Sequence, residues 1–493
     1  MNKPSIITQT ILPKINFKGL DIELKREIFK QSFYEFFKFC FRELFQNEIY
    51  REAPHLKLLC DRLQYETMRI VHKKQKEKDI NINIPPRSTK TLIVSVSWNA
   101  WTWIHDPTIP FICASFDDDL TLMNASYTKD IINSETYKLL FGHLFYIRRD
   151  YDSKGLFMNN HGGFRLSKTT GSNITGHKGT IIVTDDLQNP MTAESEVMRK
   201  KVIDYYTKSL YNRLTPADIG VRVNIQQRLH ENDLTGYLLE NFKELYDLIC
   251  LPAEITADIH PTNLIEIYKD GLLDPIRLNR TTLSSFKKIL GSRGYAGQYL
   301  QSPFANEGNI IKREWLEIVT AELLTRNPET SPIQFFIDSA YTEKTENDPS
   351  AILACYFQDN QMYIIGVEEV WLKFPDLCRF IVQYVNNFDY TYNSKIYVEP
   401  KASGKSIVQS MIEETNLNIV EGKTPKDDKT TRVYAQTPRL ESKRVKIVKG
   451  HWNEKFINQC LAFPNSLHDD MVDVLTASMA QLFDDTFDFG FIG

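Results

Sequence analysis

The seven cysteines of this chain are scattered, with no C-x-x-C pair among them. Neither a zinc ribbon nor a disulfide framework can be drawn from such spacing, and they read as reduced core thiols of a cytosolic protein. No apolar run approaches the roughly 20 residues of a membrane span, and the N-terminus carries no signal-peptide pattern, so a membrane or secreted role is not expected. Internal repeats and low-complexity tracts are missing, which argues against solenoid or linker-like architectures. Net charge is only −4, which speaks against a protein that statically coats nucleic acid. What remains is 493 residues, 42% of them hydrophobic, enough for two or three domains, each with its own core.

Near the C-terminus, Leu467-His468-Asp469-Asp470-Met471-Val472-Asp473 sets three carboxylates within five residues of an apolar-periodic run (Met471, Val472, Leu475, Met479, Leu482). On a helix Asp469 and Asp473 are i,i+4 and Asp470 and Asp473 are i,i+3, so all three can share a face. Like charges that close repel, and a divalent cation bound by carboxylate oxygens relieves the repulsion. The plainer alternative is an acidic first turn that complements the helix dipole. Two upstream acids tilt the balance. An apolar strand pattern from Ile333 to Ile337 ends in Asp338, and another from Lys395 to Val398 ends in Glu399 before Pro400. Between them, apolar runs flank Gln358-Asp359-Asn360-Gln361, a hairpin signature. Strand with Asp, hairpin, helix, strand with Glu and helix with Asp is the order of an RNase H-like nuclease fold. There, carboxylates hold two Mg²⁺ or Mn²⁺ ions that activate water and stabilise the leaving oxygen of a phosphodiester.

The N-terminal half carries a different chemistry. Asp79 to Ile84 alternates like a strand and enters Pro85-Pro86-Arg87-Ser88-Thr89-Lys90-Thr91, followed by a helical segment from Leu92 to Trp103. Strand, short loop, Lys-Thr and helix is the layout of a P-loop: backbone amides cradle phosphates, Lys90 reaches the β/γ-phosphates and Thr91 holds Mg²⁺. The loop contains no glycine, and Thr89 stands where one is usual. A β-branched residue at positive φ is a genuine outlier, so Thr89 is expected at negative φ, or to relax on nucleotide binding. Gly179 to Asp186 reads as a Walker B strand, with Asp185 holding Mg²⁺ through water and Asp186 polarising the attacking water. The alternating run Val221 to Arg228 ends in Gln227 and Arg228, candidates for sensing the γ-phosphate or for a solvated strand end.

These residues together resemble the large subunit of a tailed-bacteriophage terminase. The resemblance runs from about Pro54 to Ala480. It rests on Pro54-His55, Pro85-Pro86-Arg87-Ser88-Thr89-Lys90, Ile174-Thr175-Gly176 ahead of Asp185-Asp186, and Arg228-Leu229-His230 through Asp233-Leu234-Thr235-Gly236. It continues through Gln298 to Pro303, Lys429-Thr430-Thr431-Arg432, and Phe463-Pro464 leading to His468-Asp469-Asp470 and Asp473. It implies an α/β protein: an ASCE-type P-loop ATPase with a mainly parallel sheet, then an RNase H-like nuclease domain. The implied activity is ATP-driven movement of double-stranded viral DNA into procapsids and metal-dependent cutting of concatemers. ATP with Mg²⁺ at one site and two Mg²⁺ or Mn²⁺ ions at the other are the implied cofactors, with Arg87 touching phosphate and Asp338, Glu399, Asp469, Asp470 and Asp473 as metal ligands. Implied partners are DNA, the portal protein and a small terminase subunit. The chain would work in the host cytoplasm, forming a homo-oligomeric ring when docked, with a monomer in solution also compatible. A repair or restriction ATPase-nuclease, and a DNA-binding module with decayed motor residues, are the competing readings.

Expected boundaries are an N-terminal helical segment over 1–50, the ATPase over 51–305, a linker over 306–331 and the nuclease over 332–493. Asp21 to Gln46 reads as an amphipathic helix dense in phenylalanine that packs on the ATPase core. Glu421 to Gly450 holds nine basic residues against four acids, a patch for phosphate contacts or simply a solvated face.

Overall fold

The computed structural model describes residues 21–303, 310–339, 349–400, 402–424, 427–465 and 469–484. Asn306–Asn309 and Leu467-His468, used in the sequence reading, lie outside them. Isoleucines alternating with asparagines build the first strand of an eight-stranded sheet: β1 (Asp79–Asn83), β2 (Phe111–Ser115), β3 (Ile147–Asp152), β4 (Leu156–Asn159), β5 (Phe164–Thr169), β6 (Ile181–Asp185), β7 (Val221–Gln226) and β8 (Tyr246–Cys250). Their order is β3-β4-β5-β2-β6-β7-β1-β8. From β5 to β8 every pairing is parallel, and β3 and β4 extend the sheet edge antiparallel. Strand β7 lies between the P-loop strand β1 and the acid-bearing strand β6, the arrangement expected of an ASCE sheet. Both faces are covered, so even the polar positions of β1 are buried. The asparagines are accommodated by a buried ladder. Thr184 Oγ1 donates to Asn224 Oδ1 (2.9 Å), Asn224 Nδ2 to Asn81 Oδ1 (2.5 Å), and Asn81 and Asn83 both reach Thr235 Oγ1.

The expected N-terminal helix is two helices, α1 (Ile22–Gln31) and α2 (Phe33–Leu44). Ser32, in extended backbone, ends the first and caps the second by accepting from the Glu35 amide. Phe29, Phe33, Phe36 and Phe37 join the main core of the first sheet, and Trp101 stacks on Phe33 at 5.1 Å. α3 (Pro54–Val71) packs beside them. After the P-loop the helix begins as a wide π-type stretch, Leu92–Ser97, and continues as α4 (Trp98–His105).

The long helix α5 (Arg280–Gln298) is kinked at Gly291 (φ 70°) and precedes the second sheet. That sheet comprises β9 (Glu317–Val319), β10 (Gln334–Asp338), β11 (Ser350–Gln358), β12 (Gln361–Val370), β13 (Ile396–Val398), β14 (Ile419–Glu421) and β15 (Val445–Val448). Its order is β14-β13-β10-β11-β12-β15-β9, with β10, β11 and β12 antiparallel and the rest joined in parallel. An antiparallel trio continued in parallel beside its first strand is the RNase H-like pattern. The hairpin turn expected at Gln358–Gln361 is present, with Asp359 and Asn360 at φ 51° and 60°. α6 (Phe374–Asn386), α7 (Lys429–Glu441) and α8 (Asp470–Asp484) complete the elements that matter below.

Contrary to the expected boundaries, the segment 306–331 is not a linker over its described part. Ile310, Ile311 and Leu316 are buried in the core of the second sheet, and β9 pairs with β15. Proline and asparagine mark turns there, but the apolar residues between them still found an unfilled sheet edge to cover.

The P-loop strand also carries a buried ion pair. Asp79, 3% exposed, accepts from the Arg222 amide (2.9 Å), from Arg222 Nη1 (2.7 Å) and from Lys76 Nζ (2.7 Å). Replacing Asp79 with alanine leaves the buried Arg222 charge with only the Tyr211 carbonyl and ring as partners, and Asp79→Ala is expected to cost about 3–5 kcal/mol. Urea unfolding followed by tryptophan fluorescence checks this; a loss below about 1 kcal/mol would mean that the pair contributes no more than an exposed one.

Candidate active sites

The turn from β1 into α4 is tight, and the chain makes it without glycine. Arg87 and Thr89 take φ 63° and 64°, so the first expectation for Thr89, negative φ, is not met, which leaves the second, relaxation on nucleotide binding. Positive φ at Arg87 and Thr89 on either side of a Ser88 at negative φ is the alternation from which anion-binding nests are built. The alternation costs strain at a β-branched residue, of order 1–3 kcal/mol. Arg87, expected on phosphate, has its guanidinium 4.8 Å above the Phe286 ring at the loop's rim.

Lys90 is buried and reaches both oxygens of Asp186, at 3.0 and 2.8 Å. The same carboxylate accepts the Gln227 amide at 2.9 Å. Asp185, 5% exposed, accepts from Ser95 Oγ at 2.7 Å, a contact made by the π-type stretch of the helix. Burial, then the neighbouring Asp186 charge, push the Asp185 carboxyl up to about 6, against the pull of Lys90, Ser95 and Thr91. Its Oδ1 is buried with no hydrogen-bond partner. An acceptor oxygen held in this way beside a Lys-Thr pair fits a divalent cation, which Thr91 and Asp185 would hold. Gln227 Oε1 is likewise buried and unpartnered. Arg228 is differently placed: its Nε lies 3.0 and 2.9 Å from the Asp233 oxygens and Nη2 faces the His230 and Glu231 carbonyls, so it braces the following loop.

In the second sheet, parallel neighbours β10 and β13 end together, which sets Asp338 and Glu399 side by side; the Glu399 amide donates to the Ile337 carbonyl at 3.0 Å. With Asp473 from the first turn of α8 they line a cleft of about 770 Å³. Asp470 stands beside this wall. Burial first, then the Asp338 charge, push its carboxyl up to about 6. Burial also raises Asp473, against the pull of Lys429 and Arg432. Those two side chains come from α7: Lys429 Nζ lies 2.5 Å from Asp469 and 2.7 Å from Asp473, and Arg432 Nη2 lies 3.2 Å from Asp473. Among the described residues no three acidic, histidine or cysteine side chains stand close enough to form a ready-made metal cluster. The donor set nonetheless suits hard cations, being carboxylate oxygens from three elements facing one cleft. Filling it requires Lys429 to yield Asp469 and Asp473.

The structure therefore brings together Lys90, Thr91, Asp185, Asp186 and Gln227, and separately sets Asp338, Glu399 and Asp473 on one cleft with Asp470 beside it, short of a ready-made metal cluster among the described residues. It leaves Asp469 on Lys429 and Arg228 on Asp233. Sequence reading missed four contributors. Ser95 holds Asp185. Glu369, 7% exposed, sits in register with Ala351 and Asp338 across β12-β11-β10 and adds to the field on Asp470. Lys429 and Arg432 read only as part of a family motif and a basic surface. Strand alternation in register from the hairpin was the one signal that could have found Glu369.

Residues 386–482 match the family model for the terminase RNaseH-like domain. No curated protein matches the chain. Among solved structures it is similar to the large terminase of a thermophilic bacteriophage, at 10% identity over 85% of this chain and 98% of that one, with a TM-score of 0.49. The human cytomegalovirus terminase nuclease domain is similar at 17% identity over 36% of this chain and 98% of that one, with a TM-score of 0.29. The large terminase nuclease of a second thermophilic phage, G20c, is similar at 11% identity over 34% and 95%, with a TM-score of 0.25. The family match takes in β13, β14, β15 and most of α8 of the sheet with RNase H-like order. Ahead of that domain the same chain carries the eight-stranded, mainly parallel sheet with its P-loop strand.

Thr89→Gly removes the strain of a β-branched residue at φ 64° and is expected to raise stability by about 1 kcal/mol while keeping ATP turnover; a loss of stability would show that the Thr89 side chain is held by compensating contacts. For Asp470, the folded pKa of about 6 exceeds the unfolded value near 3.9. The folded state therefore holds more protons between the two values, and stability is lost as pH rises through 6. In chelator, Asp470→Asn should raise stability at pH 8 by about 1–2 kcal/mol and change little at about pH 4.5. Thermal unfolding at the two pH values checks it, and an equal effect at both would refute the repulsion.

Proposed function

We propose that this protein converts ATP hydrolysis into movement of double-stranded DNA into a procapsid, and cuts concatemeric DNA at its second site with bound Mg²⁺ or Mn²⁺. The observation that carries the motor reading is the Lys90–Asp186 pair beside an Asp185 oxygen that has no hydrogen-bond partner. In this reading the Arg87–Thr91 amides and Lys90 bind phosphates, Thr91 and Asp185 hold Mg²⁺, and Asp186 turns to orient the attacking water once Lys90 moves to phosphate. Gln227, on the Asp186 side chain, is placed to register that exchange. A module with decayed motor residues would have no reason to keep Lys90, Asp185 and Asp186 in one cluster. The second sheet is of RNase H-like order and not a second P-loop lobe, which favours packaging over a helicase-like repair enzyme.

At the nuclease site Asp338, Glu399, Asp470 and Asp473 would hold the cations, with Asp469 joining after Lys429 withdraws. Divalent metal there supplies charge for the leaving oxygen and an activated water. The domains are best divided with the motor ending near Pro303 and the nuclease starting near Ile310, because that residue is already in the nuclease core. DNA, a portal protein and a small terminase subunit are the proposed partners, with a ring of copies on the portal in the host cytoplasm. Among the described residues no helix is long and apolar enough to cross a membrane.

Separation of function tests the reading. Asp338→Asn should abolish DNA cleavage and leave ATP turnover within about twofold of wild type, because it thins the charge of one site only. Asp186→Asn should cut ATP turnover by about a hundredfold or more while nucleotide still binds. Cleavage by Asp338→Asn at the wild-type rate would sink the nuclease assignment. Packaging assays with purified procapsids and ATP then decide translocation: full packaging by Asp186→Asn would sink the motor.

A further inference from the structure

His55 stands at the start of α3, wholly buried, and its Nε2 lies 3.1 Å from the carbonyl oxygen of Ser88. Ser88 is the residue between Arg87 and Thr89, the two left-handed positions of the loop. A carbonyl can only accept, so Nε2 carries the proton and donates; the tautomer follows from the partner. Burial pushes the imidazole down to about 4, which leaves it a neutral, single-proton donor throughout the neutral range. The Leu273 backbone also bears on the ring, but Nδ1 is buried without a hydrogen-bond partner. The ring thus makes one directed bond and gives it to the loop. Asp274 and Arg277, paired at 2.6 Å and close enough to act on the ring, back this corner of the fold, and Arg277 also donates to the Arg51 carbonyl just before α3.

The Ser88–Thr89 peptide is not among the cis bonds and is trans. In a trans peptide the carbonyl and the following amide point in opposite directions. A donor that holds the Ser88 oxygen toward α3 therefore aims the Thr89 N–H the other way, away from α3, and in a phosphate loop that is the side on which the amides serve the anion. Glycine in such a loop lets the backbone fall into this conformation at little cost, whereas a threonine must be held there.

We infer that His55 is a positioning residue for nucleotide phosphate, fixing the Ser88–Thr89 peptide so that a glycine-free loop presents its amides to the anion. This rests on the reading of Arg87–Thr91 as the phosphate loop. The side chain touches no phosphate. It acts through one backbone oxygen, so its loss weakens binding more than it slows the chemical step.

The test uses the full chain and ADP binding by isothermal titration, with KM and kcat for ATP measured alongside. Glutamine can place an amide donor where Nε2 stands, asparagine places one near Nδ1, and methionine fills the space with no donor. His55→Asn and His55→Met are expected to raise the Kd for ADP and the KM for ATP together by about tenfold, the size of one lost buried hydrogen bond, with kcat within about threefold. His55→Gln should stay within about twofold of wild type. Equal weakening in the glutamine and asparagine variants, or wild-type affinity in either His55→Asn or His55→Met, overturns the inference. Should His55→Met fail to fold, the glutamine–asparagine contrast decides alone. Lys90→Ala, run in parallel, separates the two levels: unchanged ADP affinity and turnover there would overturn the phosphate-loop reading itself, whereas its loss beside an unaffected His55→Asn would overturn only the role of His55.

Discussion

The arrangement of the motor site depends on a buried polar ladder more than on any apolar contact. Thr184, Asn224, Asn81 and Thr235 bond across β6, β7 and β1 and out to the helix that follows Asp233. A slip of one residue in any of these strands would turn an asparagine away from its partner and leave amide groups buried and unpaired, at a cost of roughly 1–3 kcal/mol each. Hydrophobic burial alone tolerates such slips where both faces are covered, because both are apolar. The ladder does not. It therefore sets where the loop after β1 lies relative to Asp185 and Asp186 at the end of β6, and the Lys90–Asp186 contact inherits that registration.

A second constraint ties the two halves together. At the α5 kink Gly291 takes φ 70°, a conformation that favours glycine, and a Cβ there would meet the Glu441 carboxylate of α7 at 2.9 Å. The next residue, Ser292, gives its amide and hydroxyl to Glu441 at 2.9 and 2.5 Å, and Arg293 lies 4.5 Å over the Tyr434 ring while holding Glu194 at 3.0 and 2.9 Å. Glu194 belongs to the loop that follows the Asp185-Asp186 pair, and Met191 of that loop lines the nuclease cleft. The other end of α7 carries Lys429 and Arg432 onto the nuclease acids. One helix thus has the motor at its C-terminal end and the nuclease carboxylates at its N-terminal end.

The order of elements and both acid sets are legible in the sequence because each leaves a local trace. An apolar run ending in Asp marks Asp338 and Asp185, Gln358–Gln361 marks a hairpin, and i,i+3 or i,i+4 spacing puts Asp470 and Asp473 on one face. What stays hidden depends on distant partners. Intrinsic preference puts Thr89 at negative φ, but the tertiary setting holds it left-handed. Arg228 has the residue type and position of a sensor, yet Asp233, five residues on, takes its guanidinium. Alternation in β1 suggests a half-exposed strand, whereas its polar face is the buried ladder. The segment after Pro303 reads as a linker because turn residues dominate it, and three apolar side chains among them are enough to anchor it in the core.

Strand β9 comes before every other strand of its sheet in sequence, yet it lies outermost, against β15, which comes last. The sheet is thereby hemmed: the strand that emerges first waits until the last has been made, and only then seals its margin. A chain begun at Pro332 would carry the acids and leave β15 bare, offering its backbone to any neighbouring chain. Wherever identical copies crowd together, that margin is the difference between subunits that stay separate and subunits that stitch to one another.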